Sequence, residues 1–216
     1  MRVLFNDIIQ DSDAPAGLKS PALSDVFAVN ENLAVNFRGK ERRYDCIGIG
    51  NTDGTFFRIN QGQNINFAGN GLYMLPFAAE GTDLEIHTDA TYVGRIAAGL
   101  AMRIGTSVRK EPSFNSTAEP RTTLSGQVIP SRGGHVFRAV SLDSRYKIDE
   151  AMMNEIKEGY GYIGMGYPFF INLEDEAYKL PFDRLYAIDR NQMALGFESG
   201  VRGFLYSRRW DFEERF

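Results

Sequence analysis

The sequence is poor in the residues from which ready-made sites are built. It holds one cysteine, two histidines and one tryptophan in 216 residues. A single cysteine excludes an intrachain disulfide framework. Cys46 lies in the run Asp45-Cys46-Ile47-Gly48-Ile49 and reads as a small buried hydrophobe. His87 and His135 sit on separate parts of the chain with no further Cys or His beside either, so the ligand spacing of a zinc site is missing. No stretch approaches the about 18 apolar residues of a membrane-spanning helix. The start, Met1-Arg2-Val3-Leu4-Phe5-Asn6-Asp7, meets a charge too early for the apolar region of a signal peptide. The expectation is a chain made in a cytoplasm and not inserted in a membrane. Positive charge is not in excess either. Twenty-four Lys and Arg stand against 28 Asp and Glu, for a net charge of −4, and without a basic block nucleic acid is not indicated as a partner.

What is abundant is aromatic residues and glycine. Sixteen Phe, ten Tyr and 22 Gly suit strands joined by tight turns. Leu33, Val35 and Phe37 alternate with Ala34, Asn36 and Arg38, the period of a half-buried strand. Apolar segments follow at 44–49, 55–59, 71–77 and 84–86, and Tyr92-Val93-Gly94-Arg95-Ile96-Ala97-Ala98-Gly99 closes the series. Asn51-Thr52-Asp53-Gly54 is a strong turn signal. Short strands at this spacing predict a β-sandwich over residues 1–108. Residues 109–127, with Pro112, Pro120 and many Ser and Thr, read as an exposed linker or long loop. Residues 128–216 read as a second β-rich block with one helix. Asp149 is its N-cap, Ile148, Met152 and Ile156 lie on one face, and Gly159 is placed to end it. The fold class expected is mainly β, a jelly-roll-like sandwich followed by a β-rich α+β block. No internal repeat or low-complexity tract is evident.

Chemical motifs are thin. Gly48-Ile49-Gly50-Asn51 follows a strand but leads into Phe56-Phe57-Arg58-Ile59, a strand rather than the helix a dinucleotide loop needs. Asp11 and Asp13, and the run Glu174-Asp175-Glu176, match no calcium loop. No G-x-S-x-G occurs, and 28 acids mark no glycosidase pair. Asn115-Ser116-Thr117 is a glycosylation acceptor that means only an exposed loop without secretion. No catalytic residue, cofactor or metal is assigned. Tyr160, Tyr162 and Tyr167 lie among glycines and could stack on sugar rings, pack at an interface or fill the core. In the C-terminal stretch Arg208, Arg209 and Arg215 alternate with Asp211, Glu213 and Glu214, a strip able to pair across copies. A buried Arg95 would need a carboxylate or carbonyl partner.

The strand Cys46-Ile47-Gly48-Ile49, the segment 92–99, the later Pro168-Phe169-Phe170 and the ending Trp210-Asp211-Phe212-Glu213-Glu214-Arg215-Phe216 together resemble structural proteins of tailed-bacteriophage virions, chiefly tail or tail-associated ones. The first block, with residues 23–27 before its first alternating strand and 46–49 at its centre, is similar to the galactose-binding, discoidin-type jelly roll. The resemblance implies a non-enzymatic virion component whose partners are copies of itself and other virion proteins. A host-surface glycan is the alternative partner, which would make the chain a carbohydrate-binding module. Tyr160, Tyr162, Tyr167, Arg208, Arg209 and Trp210 are the residues the sequence offers for such contacts.

Overall fold

A computed structural model describes residues 1–30, 32–104, 111–116, 121–122, 128–129, 136–143, 148–163, 166–173, 184–190, 196–200, 203–207 and 209–215. Through the first half the elements are β1 (Arg2–Val3), α1 (Ala16–Lys19), β2 (Phe27–Ala28), β3 (Asn32–Asn36), β4 (Arg42–Thr52), β5 (Phe56–Ile59), β6 (Asn64–Asn66), β7 (Gly71–Gly81), β8 (Asp83–Thr88), β9 (Tyr92–Gly99) and β10 (Met102–Arg103). The second half adds β11 (Glu111–Ser116), β12 (Arg121–Thr122), β13 (Val128–Ile129), β14 (Val136–Asp143), α2 (Glu150–Ile163), β15 (Phe169–Asn172), β16 (Arg184–Asp189), β17 (Gly196–Gly200), β18 (Gly203–Ser207) and β19 (Arg209–Glu214). The protein is mainly β, as its alternation predicts.

Strands β2 to β9 form two four-stranded antiparallel sheets, ordered β2-β9-β4-β7 and β3-β8-β5-β6. The pairs β2·β9, β3·β8, β4·β7 and β5·β6 make one long ribbon, rolled so that β4 meets β9 and β5 meets β8. This is a jelly-roll-like sandwich. The register does not slip between the sheets. Thr52 lies opposite Val93, and five residues further along each strand Phe57 lies opposite Thr88. Ile47, Ile49, Ile96 and Ala98 from one sheet and Val35, Phe57, Leu84 and Ile86 from the other fill the core between them.

The two turns that cross between the sheets hold each other. Asp53 accepts from Thr91 N (2.9 Å), Thr91 Oγ1 (2.5 Å) and Tyr92 N (3.2 Å). Asp89 accepts from Thr55 N (2.7 Å), Phe56 N (3.2 Å) and Thr55 Oγ1. Thr52 Oγ1 donates to Tyr92 O, and Thr88 Oγ1 donates to Phe56 O, both at 2.8 Å. The clasp reveals a short internal likeness that the sequence reading passes over: Thr52-Asp53-Gly54-Thr55-Phe56 against Thr88-Asp89-Ala90-Thr91-Tyr92. Hydrogen bonds from Thr91 and its backbone hold the Asp53 carboxyl below its usual range, and those from Thr55 do the same for Asp89.

A seven-stranded sheet, ordered β10-β1-β15-β16-β19-β14-β11, packs on the sandwich. Strands from the first half of the chain enter this sheet: β1 pairs with β15 on one side and with β10, from the far end of the jelly roll, on the other. Side-chain alternation sorts its two faces. Phe170 and Tyr186 join Leu4, Leu23, Cys46, Leu72 and Ala97 against the sandwich. Phe169, Ile171, Leu185, Ala187, Trp210 and Phe212 face the other way, with Met153, Ile156 and Tyr160 of α2. The order of layers is therefore sheet, sheet, sheet, helix. Strands in the inner layers are buried on both faces, which is why β9 and β15 read as largely apolar runs without alternation.

Three expectations need correction. Residues 111–116 form the edge strand β11, paired with β14. Pro112, which cannot donate to a ladder, is tolerated at such an edge, so loss of apolar period there marks an edge rather than a linker. Residues 209–214 are not a strand left free to pair across copies, because β19 is paired on both sides, with β14 and β16. Gly159 does not end α2, although Asp149 caps it as expected, accepting from Met152 N at 2.8 Å. The helix continues to Ile163 because Gly159 makes room for Phe5. A Cβ there would lie 2.6 Å from the Phe5 ring.

Candidate functional site

Arg95 occupies the face of β9 that looks toward the seven-stranded sheet. It is buried, and its two terminal nitrogens have the carboxylate and carbonyl partners the sequence requires, while Nε has none among the described residues. Nη2 donates to Asp7 Oδ2 (3.2 Å), and Nη1 donates to Ser20 O (2.8 Å) and Lys19 O (3.1 Å). The Tyr167 and Tyr186 rings lie 5.7 and 5.6 Å from its central carbon, within cation–π range. One side chain thereby ties β9, the segment after β1, the end of α1 and β16 into a single unit.

Asp7 is equally enclosed. Oδ1 accepts from Ile9 N and Ala98 N, both at 3.1 Å, and Oδ2 accepts from Gln10 Nε2 as well as from Arg95. Burial pushes its carboxyl up, against the opposing pull of Arg95 and these hydrogen bonds. With four donors on two oxygens, the carboxylate has no acceptor site left for a substrate proton.

Beside this pair opens a cleft of about 350 Å³, lined among others by Asp7, Gln10, Asp11, Arg95, Tyr162 and Tyr167. Tyr162 is 46% exposed at its rim and donates weakly to Asp7 O at 3.5 Å. Burial, and then the nearby Asp11 and Asp7 charges, raise its phenol. No Ser, Cys or His is among the lining residues; the cleft offers two tyrosines and the accessible Asp11 beside the buried Asp7 and Arg95 pair.

The six residues singled out from sequence do not converge. Tyr162 and Tyr167 share the cleft. Tyr160, from the same glycine-aromatic stretch, is buried on the inner face of α2, where its hydroxyl donates to Asp189 Oδ2 at 2.5 Å. Trp210 is fully buried and stacks on Phe212 with ring centres 5.9 Å apart. Both belong to the core, which removes them as surface contacts. Arg209 is exposed on β19, where it bonds Asp211 (3.1 Å) and Ser141 (3.4 Å). Arg208 lies outside the described residues. The described acids of the strip are paired within the chain: Glu213 takes Arg190 (2.7 Å) and Arg215 (3.2 Å), and Glu214 takes Arg138 (2.6 Å). Its alternation is that of a sheet strand with one polar face.

Cys46 is buried and donates to Gly99 O at 3.2 Å, with its thiol pushed well up by burial. His87 stands 3.9 Å from Glu85, and His135 lies outside the described residues. Among the described residues no group of three or more His, Cys, Asp or Glu is placed to hold a metal, and no helix is long and apolar enough to cross a membrane.

The residue that sequence reasoning misses is Phe77, which is 86% exposed. It lies on β7, an edge strand of the sandwich. Cys46 pairs with Met74 and Tyr44 with Ala79, so four residues, Leu75, Pro76, Phe77 and Ala78, stand opposite Asp45 alone. The signal was Pro76 within an apolar run, since proline in a strand marks an edge or a bulge. A second groove, of about 530 Å³, runs beside this bulge between residues 59–63 and 75–79.

No family model, no curated protein and no solved structure matches the chain. The likeness to phage virion proteins and to discoidin-type domains therefore rests on the short motifs quoted above.

Proposed function

We propose that this protein is a non-enzymatic structural component of a phage virion, in the tail, neck or a tail-associated position, and that it assembles as a symmetric oligomer through protein–protein contacts. The observation that carries the reading is Phe77, a large aromatic side chain held out from a bulged edge strand. Exposed edges and aromatic surface are what neighbouring subunits use to lock together. The cleft supports the non-catalytic part of the reading, because its one buried carboxylate is saturated by internal donors. The test is quantitative mass spectrometry of purified particles from cells that express the chain. Recovery at a fixed, integral number of copies per particle is the expected result, and absence from particles counts against it.

A second reading has its own observation. Tyr162 and Tyr167 flank a recess that also holds Gln10 and Asp11, a combination of aromatic faces and polar groups suited to a sugar ring. On this reading the chain binds a host-surface glycan. A glycan array probed with the whole chain and with Tyr162→Ala decides it: signal lost in the variant favours binding, and a blank array for both removes it.

A further inference from the structure

The groove beside Phe77 is uncharged along its whole length. Its lining is Ile59, Asn60, Gln61, Gly62, Gln63 and the five residues 75–79, none of them ionisable. On a chain of net charge −4 this is a face where two copies can meet without opposing like charges. The same patch carries both a projecting side chain and a recess. That is the arrangement a twofold axis needs, because each copy must supply both halves of the contact. The polar groups in the recess fit the same partner. Gln61 and Gln63 are exposed, and their amides make no hydrogen bond within the described residues. An amide both donates and accepts, so it is satisfied by another amide of its own kind. Asn60, by contrast, is committed internally, donating to the Tyr44 hydroxyl (2.8 Å) and accepting from Glu85 N (2.9 Å). That fixes the 59–63 turn as a preformed wall.

We infer that this face is a twofold contact between two copies of the chain, with Phe77 of each seated in the groove of the other between residues 59–63 and 75–79. The inference rests on the assembly reading above and names the surface that reading leaves open. It places the axis at the open side of the jelly roll, where β7 and the β5–β6 turn lie together. The seven-stranded sheet and the Tyr162 cleft remain free for other neighbours.

The test compares the full chain with Phe77→Glu by sedimentation velocity and light scattering over a wide concentration range. Because Phe77 is almost wholly exposed, the variant folds, and an unchanged melting temperature verifies that. The wild type is expected to form a closed dimer, or a larger species built from dimers. Phe77→Glu is expected to have half that mass and a dissociation constant raised about 30-fold or more, as for an interface anchor. Mixing Phe77→Glu with Gln63→Lys should restore the wild-type mass, since the new charges then face each other across the contact. A Phe77→Glu protein of the same mass and affinity as the wild type overturns this face while leaving assembly through another surface intact. A wild type that is monomeric at every concentration overturns the contact and self-assembly together, which sets that outcome apart from the loss of this face alone.

Discussion

At the residue scale the molecule turns on Arg95. A lone arginine in an apolar, glycine-punctuated strand can be a ligand-binding charge or a structural one, and the sequence alone names no partner for it. The need for a partner was legible, because an unmatched buried charge is too costly. Its identity was not, because Asp7 is 88 residues away in the chain and meets it only through the fold. Replacing Asp7 by Asn leaves the guanidinium buried without its counter-charge and should lower stability by about 3–5 kcal/mol in chemical denaturation. Adding Arg95→Met to Asp7→Asn should recover part of that loss, since the stranded charge is then gone. A null effect of Asp7→Asn would mean that the pair holds nothing together. Trp210 teaches the opposite lesson. Its charged neighbours made it look like a surface residue, yet in a two-faced strand the polar and buried sets alternate, and Trp210 belongs to the buried one.

At the element scale, two devices set the local geometry, and each predicts a sign. In α2, Gly159 and Gly161 look alike in the sequence and differ in what surrounds them. Gly159 faces the Phe5 ring, while a Cβ on Gly161 would meet nothing within 4 Å. Alanine is the better helix former by about 1 kcal/mol. Gly161→Ala should therefore raise the melting temperature, whereas Gly159→Ala should lower it through overpacking of about 1–3 kcal/mol. Equal shifts of the same sign would contradict the packing described. The reciprocal Asp53 and Asp89 clasp is the second device. Both carboxyls are held below the free value of 3.8, so both favour the folded state when ionised. Their contribution is full above that value and is lost as pH falls through the lower folded values. Asp53→Asn with Asp89→Asn should be less stable than the wild type at neutral pH, and the gap should close in strong acid. A gap that stays constant with pH would show that the carboxylate charge is not what matters. The strands and their alternation were readable from residue period alone. The clasp was present as a five-residue likeness too short to stand out, and the β7 bulge was marked only by Pro76.

At the scale of the whole molecule, the sequence reading reached the fold class and missed how the halves join. A jelly-roll-like sandwich followed by a second β-rich block is what the periodicity predicts. It could not show that β1 and β10 leave the sandwich and enter the seven-stranded sheet, because a two-residue strand carries no period to read. Nor does it show that inner sheets are covered on both sides, although the largely apolar runs of β9 and β15, without alternation, are the trace of it. The functional reading depends on the outer surface of this stack, where Phe77 stands clear on one side and the Tyr162 cleft opens on another. The central claim is that the chain associates, and the mass of the purified chain in solution, measured by light scattering at high concentration, tests it most directly. The account predicts a discrete multiple of the chain mass. A protein that remains a monomer at the highest concentration reached would contradict it.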